Sequence, residues 1–218
     1  HLEGDSYEVA HRAAERFRQA EGRAYVHAYD DPLVIAGQGT IGLEVMEDLP
    51  DVEAVLVPVG GGGLSAGVAV AVKAVNPRVR VIGVQPDATP AAYLSFRDGR
   101  AYEEYEAAPT IADGLAGGYG KVAYQVARHV IDEIVVVPEA DVRRAVAWLL
   151  GFAQELVEGA AAAAIAPLLG GGLGLGGRKV VAIMSGRNID AALVCRILTE
   201  FSGELSSSMR PGKWEDDR

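Results

Sequence analysis

The residues best suited to bind a ligand are four consecutive glycines: Gly60, Gly61, Gly62 and Gly63. They follow an apolar run at residues 54–59 and precede a small-residue, apolar segment at residues 64–75. This order is typical of a buried strand, a loop and a helix. A glycine backbone can approach an oxyanion closely, and a helix start adds unpaired N–H groups and a positive dipole end. We therefore predict a phosphate site, with a tight turn that uses glycine only for its geometry as the alternative.

The glycine loop does not specify a nucleotide. No Gly-Lys-Ser/Thr follows the glycines, which excludes a Walker loop. Gly61, Gly63 and Ala66 fit a G-x-G-x-x-G/A pattern weakly. The next predicted strand ends in Gln85, where a dinucleotide site would have an acidic residue for the ribose. An adenine dinucleotide stays open as a ligand, but without support from the sequence.

A second polar motif, Ser185-Gly186-Arg187-Asn188, also follows an apolar run. Ligands of α/β sheets bind beyond the carboxyl ends of the strands, so this motif and the glycine loop both carry site-like chemistry at such ends. The alternative for Ser185 is a helix cap. His27, Asp30 and Asp31 are possible metal ligands by type, but their spacing matches no known site, and we interpret them as a capped turn.

Strands and helices alternate along the chain. The predicted strands are residues 24–27, 54–59, 79–84, 134–137 and 179–184. The predicted helices are residues 6–20, 32–47 with an interruption near 37–39, 64–75, 90–98, 121–130, 138–157, 160–169 and 189–198. Apart from Arg80, the runs at residues 55–59, 79–84, 134–137 and 180–184 are apolar throughout, as strands covered on both faces are. We predict an α/β fold with a mostly parallel sheet, helices on both faces, and a loose polar tail from residue 202.

Composition narrows the class of protein. The chain has 218 residues, of which 50% are apolar and 23% are charged, as in an ordinary globular domain. Its net charge of −10 argues against nucleic acid as a partner. No apolar run reaches membrane-spanning length without a glycine or polar break. The single cysteine, Cys195, excludes an internal disulfide framework and predicts a cytoplasmic protein.

Five motifs resemble those of one enzyme family and occur in order. They are IAGQGTIGLEV at residues 35–45, VPVGGGGLSAG at 57–67, TIADGL at 110–115, ELVEGA at 155–160 and SGRNID at 185–190. Together they resemble the threonine/serine dehydratase and serine racemase family, the fold-type-II pyridoxal-phosphate enzymes related to tryptophan synthase β. The resemblance runs from residue 4 to residue 197. It implies a tryptophan synthase β-like fold and pyridoxal 5′-phosphate as the cofactor.

The resemblance also implies roles for particular residues. In that family the glycine loop binds the cofactor phosphate, which assigns cofactor binding to Gly60, Gly61, Gly62, Gly63 and Leu64. The serine of the family's S-G-G-N motif, here Ser185, hydrogen-bonds the pyridine nitrogen. A neutral hydroxyl leaves the ring a weaker electron sink than a carboxylate would, which favours loss of a β-hydroxyl group from the bound amino acid.

The implied activity is an ammonia-lyase that eliminates water from L-threonine or L-serine to give a 2-oxo acid and ammonia. An amino-acid racemase of the same family is one alternative, and a non-catalytic domain that binds a phosphate ligand is another. The family motif reads S-G-G-N, but Arg187 replaces its second glycine. That arginine either adds a cation near the cofactor or points to solvent. The carboxylates that hold a divalent cation in racemase-like members correspond to Gln85 and Ala91, so we predict no metal site.

The largest departure is the family's Schiff-base lysine, which lies in an N-terminal S-x-K-x-R-G motif that this chain lacks. The lysines present are Lys73, Lys121, Lys179 and Lys213. None stands in a matching context, although Lys121 at a helix start is the least dissimilar. We therefore predict no catalytic residue within the chain and expect the isolated chain to be inactive.

Because the chain begins at His1 and lacks that motif, we expect the C-terminal portion of such an enzyme. Residues 1–25 would be the end of a small domain, residues 26–201 an incomplete large pyridoxal-phosphate domain, and residues 202–218 a polar tail. The full-length enzyme is expected to be a homo-oligomer that acts on a small amino acid, with neither nucleic acid nor a membrane as partner.

Overall fold

A four-stranded parallel sheet organises the fold. In the computed structural model of the chain, which describes residues 2–4 and 7–208, the strands are β1 (Ala54–Pro58), β2 (Arg80–Pro86), β3 (Glu133–Val137) and β4 (Val180–Ala182). Their order in the sheet is β3-β2-β1-β4. β1 pairs with β2 from Ala54 and Arg80 onward, and with β4 from Ala54 and Val180 onward. The predicted parallel α/β sheet is confirmed.

Helices cover both faces of the sheet. They are α1 (Tyr7–Glu21), α2 (Pro32–Asp48), α3 (Gly63–Val75), α4 (Ala91–Asp98), α5 (Lys121–Ala127), α6 (Glu139–Trp148), α7 (Gly159–Ala162), α8 (Ala166–Leu169), α9 (Ala191–Glu200) and α10 (Ser202–Ser208), with a 3₁₀ turn at Asp113–Leu115. Successive strand residues point to opposite faces. Leu56 therefore packs in the core beneath α6 to α9, while its neighbour Val57 packs in the core beneath α2 to α5.

Helix α2 is continuous, so the predicted interruption near residues 37–39 is wrong. Its glycines permit close contact with α3 instead of breaking the helix. A Cβ atom on Gly42 would lie 2.7 Å from the Val68 carbonyl oxygen, and one on Gly67 of α3 would lie 2.2 Å from the Ile35 carbonyl oxygen. The helix starts where expected, because the Asp31 side chain accepts hydrogen bonds from the N–H groups of Leu33 and Val34.

The strand predictions need three corrections. Residues 24–27 form no strand, because no strand in the described part of the chain lies beside them to pair. β3 and β4 are the edge strands of the sheet and are only partly buried, with Val136 36% exposed and the residues of β4 all half-buried. An apolar run therefore predicted these strands correctly but not their burial on both faces. β4 is also shorter than predicted.

The predicted helix over residues 138–157 ends early. After α6 the chain makes one π-helical turn at Leu149–Ala153, and Gln154 adopts a left-handed conformation with φ of 59°. Leu156 is consequently 40% exposed, whereas Val157 returns to the core. The predicted helix over residues 160–169 is two short helices, α7 and α8, because Pro167 cannot donate the backbone hydrogen bond that would join them.

The first and last helices lie next to residues outside the described part of the chain. Helix α1 agrees with the prediction, although its predicted start at Ser6 lies outside the described residues. The predicted loose tail is wrong for residues 202–208, which form α10, while residues 209–218 and Lys213 lie outside the described part. Among the helices that the structure describes, none is both long and apolar enough to cross a membrane.

Candidate functional site

The glycine loop joins the end of β1 to the start of α3 at the carboxyl edge of the sheet. Gly62 caps α3 in a left-handed backbone conformation with φ of 99°, which residues other than glycine rarely adopt. A Cβ atom there would lie 2.3 Å from the ring of Tyr119, a fully buried residue. Both backbone conformation and space therefore require glycine at this position.

The other three glycines also touch neighbouring protein atoms. A Cβ atom on Gly61 would lie 2.4 Å from the Tyr29 ring, and one on Gly63 would lie 2.7 Å from the Tyr29 carbonyl oxygen. At Gly60 the nearest atom, the Cα of Leu115, would be 3.1 Å away. The loop thus uses its glycines for close packing, which was the alternative interpretation. Close packing of the glycines does not exclude a ligand, because the backbone N–H groups of the loop can bind one whatever the glycines pack against.

Six consecutive backbone N–H groups, from the glycine loop into the start of α3, bond no acceptor within the part of the chain that the structure describes. Among the described residues, none of the N–H groups of residues 60–65 donates a hydrogen bond to a protein acceptor, and the first N–H of α3 to do so belongs to Ala66, which bonds Gly62 O at 2.9 Å. Helix starts leave such donors unpaired, and the helix dipole adds partial positive charge at the same place. This stretch can therefore bind an anion without any cationic side chain.

The loop forms one wall of a cleft of about 260 Å³. All six residues predicted to bind the cofactor line it: Gly60, Gly61, Gly62, Gly63, Leu64 and Ser185. Other residues around it include Tyr29, Gln38, Ser65, Leu115 and Glu158. The parallel order of β1 and β4 brings residue 60 and residue 185 to the same edge, although they are far apart in sequence.

Glu158 fixes the turn that carries Ser185. Its backbone N–H donates to Gly186 O at 3.2 Å, and its carboxylate accepts from the N–H of Asn188 at 3.0 Å. A Cβ atom on Gly186 would lie 2.4 Å from that carboxylate, so the turn packs directly on it. The Ser185 side of the cleft therefore presents a hydroxyl and a carboxylate, whereas the loop side presents N–H donors.

Charged groups are scarce in the cleft. Of the described residues that line it, only Glu158 carries a formal charge. None of the three lysines in the described part of the chain lines it. Lys73 pairs with Asp132 at 2.7 Å, Lys179 pairs with Asp51, and Lys121 lies exposed at the start of α5. The described residues thus offer the cleft no amine.

Arg187 lies at the surface, whereas Gln85 is buried and hydrogen-bonded. The Arg187 side chain is 75% exposed and lies 3.7 Å from Glu155, so it points to solvent. The buried Gln85 amide donates to Val59 O at 3.1 Å and accepts from the N–H groups of Ala92 and Tyr93, at the start of α4. In the described part of the chain, no group of three His, Cys, Asp or Glu side chains could hold a metal ion.

Sequence reasoning missed Tyr29, Ser65 and Glu158 as cleft residues. Ser65 and Glu158 lie inside two of the five motifs, so the motifs themselves could have indicated them. Tyr29 precedes the Asp31 cap by two residues, and only its contact with Gly61 and Gly63 reveals its place. That contact depends on the fold, and no local pattern predicts it.

The known proteins that this chain resembles in sequence and in structure include enzymes named for the same reaction class. The L-threonine ammonia-lyase of Thermotoga maritima is 47% identical over 200 residues, which cover 91% of this chain and 49% of that protein. The catabolic L-threonine dehydratase TdcB of Escherichia coli K12 is 44% identical, over 90% of this chain and 60% of that protein. Among solved structures, the processed form of threonine deaminase isoform 2 from Solanum lycopersicum superposes with a TM-score of 0.84 at 32% identity, covering 94% of this chain and 56% of that one.

The chain thus spans roughly half to three-fifths of the length of the curated relatives that it matches. Residues 1–186 match the family described as pyridoxal-phosphate dependent enzymes. This region contains the glycine loop, Glu158 and Ser185. The fold-type-II resemblance seen in the sequence is confirmed by the solved structure that the chain superposes on. The chain belongs to the family of pyridoxal-phosphate dependent enzymes.

Proposed function

We propose that the cleft binds pyridoxal 5′-phosphate, with the phosphate on the N–H groups of residues 60–65 and the pyridine nitrogen beside Ser185. The observation that carries this proposal is the run of six unpaired N–H donors at the start of α3. A phosphate dianion satisfies such donors and interacts favourably with the helix dipole. The cleft has no cation to share that task among its described residues, so the backbone supplies the attraction.

The residues of the cleft fit the group chemically. When bound, pyridoxal phosphate supplies a ring that withdraws electrons from the α-carbon of an amino acid. Ser185 offers a neutral hydroxyl, which can hydrogen-bond a pyridine nitrogen without holding a proton on it as a carboxylate would. Glu158 holds the Ser185 turn through Gly186 and Asn188, and Leu115 and Ala160 supply apolar surface that excludes water from the ring.

We propose further that the chain carries out the cofactor-binding part of an ammonia-lyase acting on L-threonine or L-serine. The relatives at 44–47% identity are named an L-threonine ammonia-lyase and an L-threonine dehydratase, which supports the reaction on L-threonine. Loss of a β-hydroxyl group is the outcome that a ring with a neutral partner at its nitrogen favours. The amine that would hold the cofactor covalently is not among the described residues of the cleft, so the reaction also needs groups beyond them.

Two measurements test these proposals. Amide resonances of the ¹⁵N-labelled chain are recorded while pyridoxal phosphate is added, and we expect the largest shifts at residues 60–65 and 185–188. Shifts confined to other regions would refute the assigned site. For the reaction, the N-terminal part of a full-length relative is supplied as a separate polypeptide, and ammonia and 2-oxo acid are measured with L-threonine. Binding of both polypeptides without product would count against the lyase.

A further inference from the structure

The turn at residues 27–31 packs directly on the glycine loop. The Tyr29 ring occupies the space beside Gly61, and the Tyr29 backbone occupies the space beside Gly63, with clearances that leave no room for a Cβ atom at either glycine. Tyr29 also lines the cleft. The position of the loop backbone, and with it the direction of its N–H groups, therefore depends on where this turn holds Tyr29.

The same turn is joined to the start of α5. The Asp30 carboxylate accepts a hydrogen bond from the N–H of Ala123 at 2.8 Å. The N–H of Gly120, which precedes α5, donates to Gly61 O at 3.0 Å. The turn, the glycine loop and the start of α5 therefore each contact the other two. A displacement of the turn would move the loop directly through Tyr29, and indirectly through the start of α5.

His27 holds the turn in place. Its Nδ1 atom accepts hydrogen bonds from the backbone N–H of Asp30 at 2.9 Å and from that of Tyr29 at 3.3 Å. An imidazole nitrogen can accept only while it carries no proton, so the proton of the neutral ring is on Nε2. Protonation of Nδ1 would replace an acceptor with a donor that faces two other donors, and both bonds would be lost.

The surroundings of His27 favour its neutral form. Burial and the nearby ring of His11, 5.1 Å away between centroids, lower the pKa of His27 below its usual value of 6.5. Asp30 and Asp31 act in the opposite direction but do not reverse the effect. The ring of Tyr25 also contacts His27 edge-on. The adjoining hollow of about 190 Å³ is lined in addition by the charged side chains Arg12, Glu103 and Glu104.

We propose that His27 is a positioning residue for the phosphate site: the neutral imidazole holds the turn that presses Tyr29 against the glycine loop, and protonation of the ring weakens phosphate binding. This inference rests on the proposed function. It adds a residue outside the cleft and outside all five motifs, and it makes the affinity for a phosphate ligand depend on a histidine that does not touch the ligand.

The test compares affinities at two pH values. The probe is pyridoxine 5′-phosphate, which has the phosphate and ring but no aldehyde to react with lysines, and binding is measured by calorimetry. The 218-residue chain is compared with His27→Asn, whose side-chain oxygen can accept the same two backbone bonds as in an Asx turn and does not titrate. His129→Asn, at an exposed position after α5, is the matched control.

We expect the parent chain and His129→Asn to lose about tenfold more affinity between about pH 8 and about pH 5 than His27→Asn loses. The ligand phosphate also takes up a proton near pH 6, but all variants share that change. His27→Leu, which has no acceptor, should bind weakly at both pH values. The inference is overturned if His27→Asn shows the same pH dependence as the parent chain, or if His27→Leu binds like the parent at about pH 8.

An independent readout separates this inference from the proposed function. ¹⁵N NMR of the histidine rings should show Nδ1 of His27 as an unprotonated acceptor in the free chain at neutral pH, and a protonated Nδ1 there would refute the positioning role. Absence of any binding by the parent chain at about pH 8 would instead refute the proposed function, and the inference with it. Binding with parallel pH profiles would refute the inference alone.

Discussion

A substitution at Leu64 tests the phosphate site most directly, because it can remove one backbone donor. Leu64 is the second residue of α3, and its N–H bonds no described acceptor. Proline fits the backbone of a first helical turn and lacks only that N–H. Leu64→Pro therefore deletes a donor that the folded protein does not use, and Leu64→Ala, which loses the same partly buried side chain but keeps the N–H, is the matched control.

The expected loss follows from the strength of one hydrogen bond to a charged group, about 1.5–3 kcal/mol. The affinity of Leu64→Pro for pyridoxal phosphate should thus be about 10–150 times weaker than that of Leu64→Ala. Binding is measured by calorimetry, and urea unfolding of both variants shows that each is folded. If folded Leu64→Pro and Leu64→Ala bind equally well, the N–H groups of the loop do not hold the phosphate, and the reasoning fails.

Four further predictions concern the stability of the fold, the contact of Ser185 with the cofactor ring, the pH dependence of stability, and Lys121 as a possible catalytic amine. Gln85→Leu removes the three hydrogen bonds of a fully buried side chain and should lower the free energy of unfolding by about 3–5 kcal/mol in urea titrations. Gln125→Leu at an exposed position should not, and equal stabilities of the two variants would contradict this. Ser185→Ala should weaken pyridoxal phosphate binding by roughly 1 kcal/mol, about fivefold, and an unchanged dissociation constant would place the ring elsewhere. Because folding lowers the pKa of His27, the unfolded chain binds more protons below pH 6.5, so the stability of the parent chain should fall relative to His27→Asn as pH decreases through that value; parallel unfolding curves across pH would refute the shift. Borohydride reduction with pyridoxal phosphate should give no single stoichiometric adduct at Lys121 and no ammonia from L-threonine, and peptide mapping that found one, with turnover, would show that this chain carries its own catalytic lysine.

The local pattern of the sequence predicted the elements wherever neighbouring residues decide them. The apolar run before Gly60 is β1, Asp31 with Pro32 starts α2, and Asn76 ends α3, because caps, turns and strands depend on residues a few positions apart. The family motifs predicted the six residues of the proposed cofactor site, and the strand order places all six around one cleft.

Tertiary contacts decided the rest. The glycines of α2 looked like a break, but they form the surface on which Gly67 of α3 packs, and only the partner helix reveals this. Residues 24–27 have a strand-like sequence and no strand beside them, since pairing needs a neighbour that propensity cannot supply. Likewise, Tyr29 and His27 acquire their relation to the glycine loop solely through space. Sequence thus determined which backbone can donate to an anion, and packing determined which side chains hold that backbone in position.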